Sequence, residues 1–371
     1  MQRRCDLAPP LTRRRLAAAR PLPSRVAGVA RARGYVYDDA GRLETVADGT
    51  TPIAEYDYNG NSNRTSHLWS GGTNGATYDA QDRVLTYGDT TSEHSANGEL
   101  QSATIAGAMT NYTYDGFGKL RTVDIAGTSS IEYVIDAQNR RIGRKLNGTL
   151  VQGWIYTDQL RVAAETDGTG AIVSRFVYGT RANAPDYMIR NGATYRILAD
   201  HLGSPRLVVN TSDGTILPRI DYDEFGNVTS DTNPGFQPFG FAGGLYDHDT
   251  RLLRFGARDY DPRTGRWTAK DPILFAGSDT NLYGYVMSDP SMLMGGCRSA
   301  STSFTVYLRS SGSGTTESTR AKALRTLTRT TPESFTTSGK VPGVQLRITK
   351  SKRSAVVANL TRNGGRTCWT S

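Results

Sequence analysis

Only three of the 371 residues are cysteine, and Cys5, Cys297 and Cys368 all lie toward the two ends of the chain. An odd number of cysteines without a CxxC spacing is typical of neither a disulfide framework nor a zinc site. The middle of the chain must therefore be stabilised by backbone hydrogen bonds and by burial of apolar side chains. We predict no cofactor and no metal ion for this chain.

Long apolar runs are missing as well. In residues 1–33 the apolar stretches are interrupted by Arg20, Arg25 and Arg31, so no run is long enough for a secretory signal peptide. No stretch of the chain reaches the length of a membrane-spanning helix. We therefore expect no signal peptide in residues 1–33 and no membrane span.

Acidic residues are scarce at both ends. Residues 1–33 have a charge balance of +8 and residues 297–371 a balance of +11, whereas residues 34–296 have −10. Segments of one charge sign offer too little apolar surface to offset the entropy of ordering, so we predict disordered basic flanks over 1–33 and 297–371. The tail also lacks histidine and has only two acidic residues, Glu317 and Glu333, so it contains no recognisable toxin active site.

A short phrase recurs about every twenty residues in the middle of the chain. It consists of Tyr-Asp, a small polar turn, then Arg or Lys and an aliphatic residue. Such a fixed period indicates a repeat architecture. On both sides of each turn Tyr, Val, Ile and Thr alternate with polar residues, which is the pattern of a β-hairpin. The clear copies begin at Tyr37, Tyr78, Tyr114 and Tyr222, and fainter copies begin at Tyr58, His94, Ile135 and Tyr156.

One unit is one hairpin, and a lone hairpin is at best marginally stable in water. The units must therefore pair edge to edge, which predicts an all-β fold with one long, curled antiparallel sheet. Roughly 25 strands at about 4.8 Å each give a sheet about 120 Å long, which bends into a ring about 40 Å across. We expect a short collar that encloses little unless further repeats are added.

These residues and three further motifs resemble the Rhs and YD-repeat family, which includes bacterial polymorphic toxins and the C component of insecticidal toxin complexes. The resemblance extends from about Gly34 to Asp289. It implies a shell of YD-repeat hairpins over 34–250, the end of the family's core domain over 251–296, and a variable tail over 297–371. Its most specific motifs are Asp200–Arg206 (DHLGSPR), Gly256–Pro262 (GARDYDP) and Asn281–Tyr285 (NLYGY).

The resemblance also implies an aspartyl-type autoprotease at Arg258, Asp259 and Asp271. Ionisation of both of two neighbouring carboxylates is opposed by the repulsion of their charges. One would therefore keep its proton and act as acid while the other acts as base, and the positive charge of Arg258 would adjust their pKa values. The alternative interpretation is that these aspartates only form turns. The family's second Asp-Pro-x-Gly motif is absent here, and we place any self-cleavage between Met287 and Arg298.

Three functions remain open at this point. The first is a structural shell fragment that encloses or presents a C-terminal effector polypeptide, the second is the self-cleaving protease, and the third is an extracellular module that binds carbohydrate or protein. The resemblance implies as partners the chain's own C-terminal polypeptide or upstream shell repeats, secretion-system or toxin-complex subunits, and a cognate immunity protein. It implies a secreted or cell-surface location.

Overall fold

The computed structural model describes residues 17–18, 33–179, 181–277, 279–291, 336–341, 344–350, 356–362 and 365–366. The chain divides into two compact units, Met1–Cys297 and Arg298–Ser371. Most of the two flanks predicted to be disordered lies outside the described residues. Within the tail, the second unit contains a four-stranded antiparallel sheet where we had expected coil.

The first unit is dominated by one 21-stranded sheet, in which each strand pairs antiparallel with the next strand along the chain. The predicted all-β antiparallel fold is confirmed. The strands are β1 Ala17–Ala18, β2 Arg33–Tyr37, β3 Leu43–Asp48, β4 Thr51–Tyr58, β5 Arg64–Trp69, β6 Gly72–Tyr78, β7 Val84–Tyr87, β8 Thr90–His94, β9 Leu100–Ile105, β10 Ala108–Tyr114, β11 Leu120–Ile125, β12 Ser129–Ile135, β13 Arg141–Leu146, β14 Thr149–Tyr156, β15 Val162–Asp167, β16 Ile172–Val177, β17 Tyr187–Arg190, β18 Ala193–Ala199, β19 Pro205–Asn210, β20 Ile216–Tyr222 and β21 Val228–Asp231.

Shorter elements follow the large sheet. They are β22 Leu245–Tyr246, β23 Leu253–Phe255, β24 Arg258–Asp261 and β25 Arg266–Trp267, together with the 3-10 helices Phe241–Gly243, Leu274–Gly277 and Val286–Ser288, and the tail strands β26 Thr336–Val341, β27 Val344–Lys350, β28 Val356–Arg362 and β29 Gly365–Arg366. No helix in the described part of the chain is long and apolar enough to cross a membrane.

The aspartate of the repeat phrase forms the hairpin turn. Asp38 Oδ1 accepts hydrogen bonds from the backbone N–H groups of Ala40 (3.0 Å) and Arg42 (2.9 Å), and its Oδ2 accepts from Arg42 Nε at 2.7 Å. Gly41 has a φ of +82°, in the left-handed region that glycine adopts without strain. The arginine four residues after the aspartate is thus part of the turn itself.

In several of the phrases the tyrosine connects its unit to the preceding one. Tyr58 donates its hydroxyl to the carbonyl of Leu43 at 2.8 Å, and Tyr156 donates to the carbonyl of Arg141 at 2.8 Å. The Arg42 guanidinium also lies 4.8 Å from the centre of the Tyr58 ring, so a cation–π contact supports the same junction. The same contact therefore recurs at several of the turns, though not at all of them.

Residues 236–291, here called the return segment, run back across the sheet after β21. The segment begins near β17, where Arg190 Nη1 donates to the carbonyl of Phe236 at 2.8 Å. Further along, the carbonyl of Thr268 accepts from the backbone N–H of Leu100 in β9 at 2.8 Å. At its end, Ser291 Oγ lies 2.6 Å from the hydroxyl of Tyr37 in β2. The space inside the collar is thus occupied by the chain itself.

An aromatic cluster forms the centre of this packing. The rings of Tyr260 and Tyr285 are 4.2 Å apart, and Trp267 lies 5.5 Å from Tyr285. All three side chains are buried, and rings of this kind dominate the apolar area of a core.

The two ends of the large sheet meet through side chains, at a junction here called the seam. Arg33 in β2 forms an ion pair with Glu224, which lies in the turn before β21. Phe225 packs edge to face on Tyr56 with the ring centres 5.1 Å apart, and it belongs to the same buried cluster as Leu43. The sheet itself is therefore not closed by strand pairing, and only side chains connect its two ends.

Candidate functional site

The structure places Arg258 and Asp259 side by side in strand β24. Successive side chains of a strand point to opposite faces, so the side chains of these two residues contact different parts of the protein. Arg258 approaches Asp271, with Nη2 3.1 Å from Oδ2, whereas Asp259 is held by arginines that the sequence did not suggest.

Asp259 lies at the centre of a buried ion-pair triad. Its Oδ1 accepts from Arg141 Nη2 and its Oδ2 from Arg254 Nη1, both at 2.7 Å. The three side chains are at most 2% exposed. A charge this deeply buried is tolerated only when it is paired and hydrogen-bonded, so the triad joins strands β13, β23 and β24 strongly.

The triad continues into a second group of buried side chains, which involves Tyr133 of β12 and Asp247 of the return segment. The Arg141 guanidinium lies 3.4 Å from the centre of the Tyr133 ring, and the Tyr133 hydroxyl donates to Asp247 Oδ2 at 2.8 Å. Burial works against the charge of Asp247, but the guanidinium of Arg144 at 2.9 Å, with that of Arg141, holds its pKa below the usual value. Together these groups attach the return segment to β12 and β13.

Asp271 has a more open environment. Its side chain is 23% exposed and that of Arg258 is 13% exposed, and the Arg258 guanidinium lies 4.0 Å from the centre of the Trp267 ring. The backbone N–H of Asp271 donates to the carbonyl of Leu282 at 3.0 Å. Of the two predicted catalytic carboxylates, Asp271 is the one that water can reach.

The recorded contacts describe two separate ion-paired carboxylates, each with its own arginine partners. Both oxygens of Asp259 accept from guanidinium groups, whereas Asp271 binds Arg258 through Oδ2 and accepts from the Ile273 N–H through Oδ1. The catalytic assignment of Arg258, Asp259 and Asp271 stays a prediction.

The predicted cleavage window begins in an unusual turn. Val286, Met287 and Ser288 have φ values of +43°, +55° and +59°. A positive φ is uncommon for a non-glycine residue and is an outlier for a β-branched one such as Val286. Residues 292–298 of the window lie outside the described part of the chain.

Sequence reasoning missed Arg141 and Arg64 as anchors of the return segment. Both occupy the aliphatic position of the repeat phrase, where Leu43, Leu120 and Val162 are buried. Arg64 Nη2 donates to the carbonyl of Arg263 at 2.6 Å, just as Arg141 binds Asp259. The signal was available, because a buried repeat position filled by arginine requires a partner from elsewhere in the chain.

The phrase around Asp200 joins the end of the return segment to the sheet. His201 Nε2 donates to the carbonyl of Ser291 at 2.6 Å, and Asp200 Oδ1 accepts from the N–H groups of Leu202 and Ser204, both at 3.0 Å. The imidazole therefore caps a backbone group, which agrees with a structural role for this histidine.

Comparison with known proteins extends these observations. The teneurin YD-shell family model matches residues 25–291. Teneurin-3 of Danio rerio is 32% identical over 272 residues, which cover 69% of this chain and 10% of that protein. The tRNA3(Ser)-specific nuclease WapA of Bacillus spizizenii is 28% identical over 261 residues, which cover 67% of this chain and 11% of that protein.

Among solved structures, the crystal structure of TcdB2-TccC3 matches with a TM-score of 0.53 at 19% identity. The match covers 71% of this chain and 16% of that one. At this identity the likeness concerns the fold alone. The chain spans about a tenth of the length of the curated relatives that it matches.

Proposed function

Because the chain belongs to the teneurin YD-shell family, we propose that residues 33–291 form the closed end of a larger YD shell. In this role the collar is a structural module, and the return segment blocks its opening. Walls that enclose a C-terminal effector would come from further repeats, since this collar is occupied by its own residues. The resemblance to Rhs-type toxins supports the proposal, and so does the likeness in fold to TcdB2-TccC3.

One observation carries this proposal. The return segment contacts the sheet from β17 to β2 and is fixed by the buried Arg141–Asp259–Arg254 triad. A segment held in this way seals the collar permanently, whereas a movable lid would have fewer buried contacts and weaker local stability.

The partners and the location belong to the same proposal. We place the module outside the cell, as part of an exported toxin system, with upstream shell repeats and the chain's own tail as its first partners. Toxin-complex or secretion-system subunits and an immunity protein would follow from that setting. The likeness to toxin-complex structures supports this choice and concerns the fold.

Hydrogen exchange of the full chain tests the sealed collar. We expect the amides of β23 and β24 to be as slow as those of β12 and β13, because the triad joins these strands. Limited trypsin digestion then examines the tail. Rapid loss of 298–371 with survival of 33–291 supports a tail that the collar carries, and a protected tail supports an enclosed one. Fast exchange of β23 and β24 contradicts the proposal.

As a second candidate we propose self-cleavage between Met287 and Arg298 by Asp271 and Asp259, with Arg258 tuning the charge. The observation in its favour is the left-handed turn over 286–288, since backbone strain clusters at functional sites. Asp271 is close to this turn along the chain, and it is accessible to water. It would deliver or accept the proton while water attacks the peptide carbonyl.

Intact mass measurement of the purified chain over several days tests this second candidate. Asp271→Asn should abolish the cut, because an amide cannot hold or accept the proton, and Arg258→Ala should slow it. Asp279→Asn is a matched control, since it removes a nearby carboxylate of the same segment. Cleavage that continues in Asp271→Asn contradicts the assignment and leaves the shell role unaffected.

A further inference from the structure

A cavity of about 370 Å³ lies between the large sheet and the first part of the return segment. Residues of β13 to β17 line its sheet side, and residues between Gly235 and Asp249 line its other side. This volume lies within the range of small-molecule sites in proteins. The lining includes Trp154 and Glu165, to which neither the shell role nor the self-cleavage assigns a task.

The strand register places four polar side chains of this region in one row. Trp154 lies opposite Glu165, Glu165 opposite Ser174, and Ser174 opposite Arg190. Residues directly opposite each other in a ladder share one face of the sheet. Three of the four, Trp154, Glu165 and Arg190, line the cavity. An indole, a carboxyl and a guanidinium therefore border the same space from three strands.

The arginines of the lining differ in how tightly they are paired. Arg144 Nε binds Asp247 Oδ2 at 2.9 Å. Arg190 Nη1, in contrast, lies 3.9 Å from Glu165 Oε2, beyond hydrogen-bond distance, and donates to the carbonyl of Phe236 at 2.8 Å. A ligand group can therefore enter between Arg190 and Glu165 without breaking a hydrogen bond that joins them.

Two buried polar atoms at the cavity have no hydrogen bond among the described residues. They are Trp154 Nε1 and Glu165 Oε2, on side chains that are 6% and 5% exposed. An unpaired buried polar atom is costly to a fold, so such atoms call for a partner. The indole N–H only donates, and a carboxylate oxygen accepts. The cavity thus offers one unused donor and one unused acceptor on neighbouring strands.

The carboxyl of Glu165 is suited to a cationic partner. Burial raises its pKa, while the amide of Gln152, which donates to Oε1 at 2.5 Å, and the guanidinium of Arg190 work in the opposite direction. An ammonium group at Oε2 would add a charge-assisted hydrogen bond, which is about twice as strong as a neutral one. Perturbed carboxyls in a cavity are also a mark of functional sites.

The groups on either side of Glu165 are suited to an anion. The Trp154 N–H and the Arg190 guanidinium are both donors, and a carboxylate accepts from both. A ligand that carries one ammonium and one carboxylate has no net charge, so it serves all three side chains and leaves the charge balance of the cavity unchanged. Apolar residues such as Val151 and Leu245 complete the lining and provide a surface for a hydrocarbon group.

We propose that this cavity binds a free α-amino acid with an apolar side chain. Its ammonium group donates to Glu165 Oε2, its carboxylate accepts from Trp154 Nε1 and from the Arg190 guanidinium, and its side chain packs against Val151 and Leu245. Binding requires a small adjustment of the buried side chains. The site gives the chain a recognition function beyond the proposed shell role. It is independent of that role, because it needs only β13–β17 and the return segment in place.

Isothermal titration calorimetry of the full chain with L-leucine, L-methionine and L-phenylalanine tests the proposal. We expect saturable binding of at least one of the three. The amide of the same amino acid lacks the carboxylate, and its N-acetyl derivative lacks the ammonium group. Each derivative should bind at least about tenfold more weakly, because a charge-assisted hydrogen bond is lost.

Two variants examine the residues of the site. Trp154→Phe keeps a ring but removes the N–H group, and Glu165→Gln keeps the shape of the side chain but removes its charge. Each should weaken binding by about tenfold or more. Trp69→Phe, which changes an indole stacked on His67 at 4.8 Å, is the matched control and should bind as the unaltered chain does.

Three results would overturn the proposal. The first is the absence of saturable binding of all three amino acids, which would mean that the cavity holds water only. The second is unchanged affinity in both Trp154→Phe and Glu165→Gln. The third is an amide or N-acetyl derivative that binds as tightly as the free amino acid. In the unaltered chain, the NMR signal of the Trp154 indole N–H should shift as the ligand is added, and this measurement does not depend on the folding of a variant.

Discussion

Arg141 and Asp259 are 118 positions apart in the chain, yet Arg141 Nη2 donates to Asp259 Oδ1 at 2.7 Å in a fully buried setting. Desolvation opposes the charge of Arg141, but Asp259, Tyr133 and Asp247 together keep its pKa above the usual value. The pair therefore exists only because the return segment and β13 are folded against each other.

Removing this carboxylate should destabilise the fold strongly. Asp259→Ala leaves Arg141 and Arg254 buried without their partner, which costs about 3–5 kcal/mol in the free energy of unfolding. Urea denaturation followed by circular dichroism measures the loss. Asp271→Ala is the control, because its ion pair is partly exposed and should contribute about 1 kcal/mol or less. Equal losses in the two variants would contradict the structural role of the triad.

The tyrosine junctions between repeats should each contribute separately. Tyr58→Phe and Tyr156→Phe each remove one hydrogen bond to a carbonyl and should cost about 1 kcal/mol in the free energy of unfolding. The two sites share no partner, so the double variant should lose about the sum of the single losses. Tyr187→Phe, in which the ring is 38% exposed, is the control. A Tyr58→Phe chain as stable as the original would show that packing alone holds the units together.

Stability should depend on the protonation of Asp223 at the seam. Burial, aided by the charge of Glu224, raises its pKa to about 6, although Asn227 opposes the shift. A raised carboxyl pKa means that the folded chain binds the proton more tightly than the unfolded one. The stabilisation that this proton gives the folded chain is complete below about pH 4, and it is lost as the pH rises through about 6.

Asp223→Asn removes this titration. Asn59 has the same place in an earlier turn, where its Oδ1 accepts from Asn61 and Asn63, so the amide is compatible with the turn. We expect the difference in unfolding free energy between variant and original to change between pH 4 and pH 7, in favour of the variant at pH 7. The pKa values of His67 and His94, lowered to about 4 chiefly by burial, affect both chains alike and cancel in this difference. A constant difference across the range would refute the prediction.

Gly243 should be intolerant of a side chain. A Cβ at this position would lie 2.1 Å from the carbonyl oxygen of Asn183, and its φ is +78°. Gly127 has a similar φ of +70° with no atom within 4 Å of the added carbon, so Gly127→Ala isolates the conformational cost of about 1 kcal/mol. Gly243→Ala should lose clearly more stability in thermal denaturation than Gly127→Ala does. An equal or smaller loss of stability would show that the segment containing Asn183 moves to make room for the added methyl group.

The repeated hairpins could be predicted from the sequence because the residues that form each hairpin lie close together in the chain. The Asp38 turn, the left-handed Gly41 and the Tyr58 junction all lie within about one period, so periodicity alone locates them. The sequence also led to the correct sheet type, but it did not reveal the return segment. Its short strands, such as β22 and β25 with two residues each, carry no periodic signal.

The partners of the candidate site could not be predicted in the same way. Arg258 and Asp271 are only 13 positions apart, and the family resemblance had grouped them in one site. Arg141 reaches Asp259 from a distant hairpin, and only the curl of the sheet decides which hairpin that is. Like Arg64, it departs from the repeat phrase, which marks it as unusual but does not identify its partner.

The arginines at positions 64 and 141 also limit how the repeat array can change in evolution. Arg64 meets the return segment at Arg263, and Arg141 meets it at Asp259, so both ends of the stretch from β5 to β13 are tied to nearby points of one segment. Duplication of a hairpin inside this stretch would displace one anchor by two strand spacings, about 10 Å, and break a buried contact. Duplication ahead of β2 would leave both anchors in place. Variation in repeat number is therefore expected on the N-terminal side of Arg64, while the count between the two arginines stays constant.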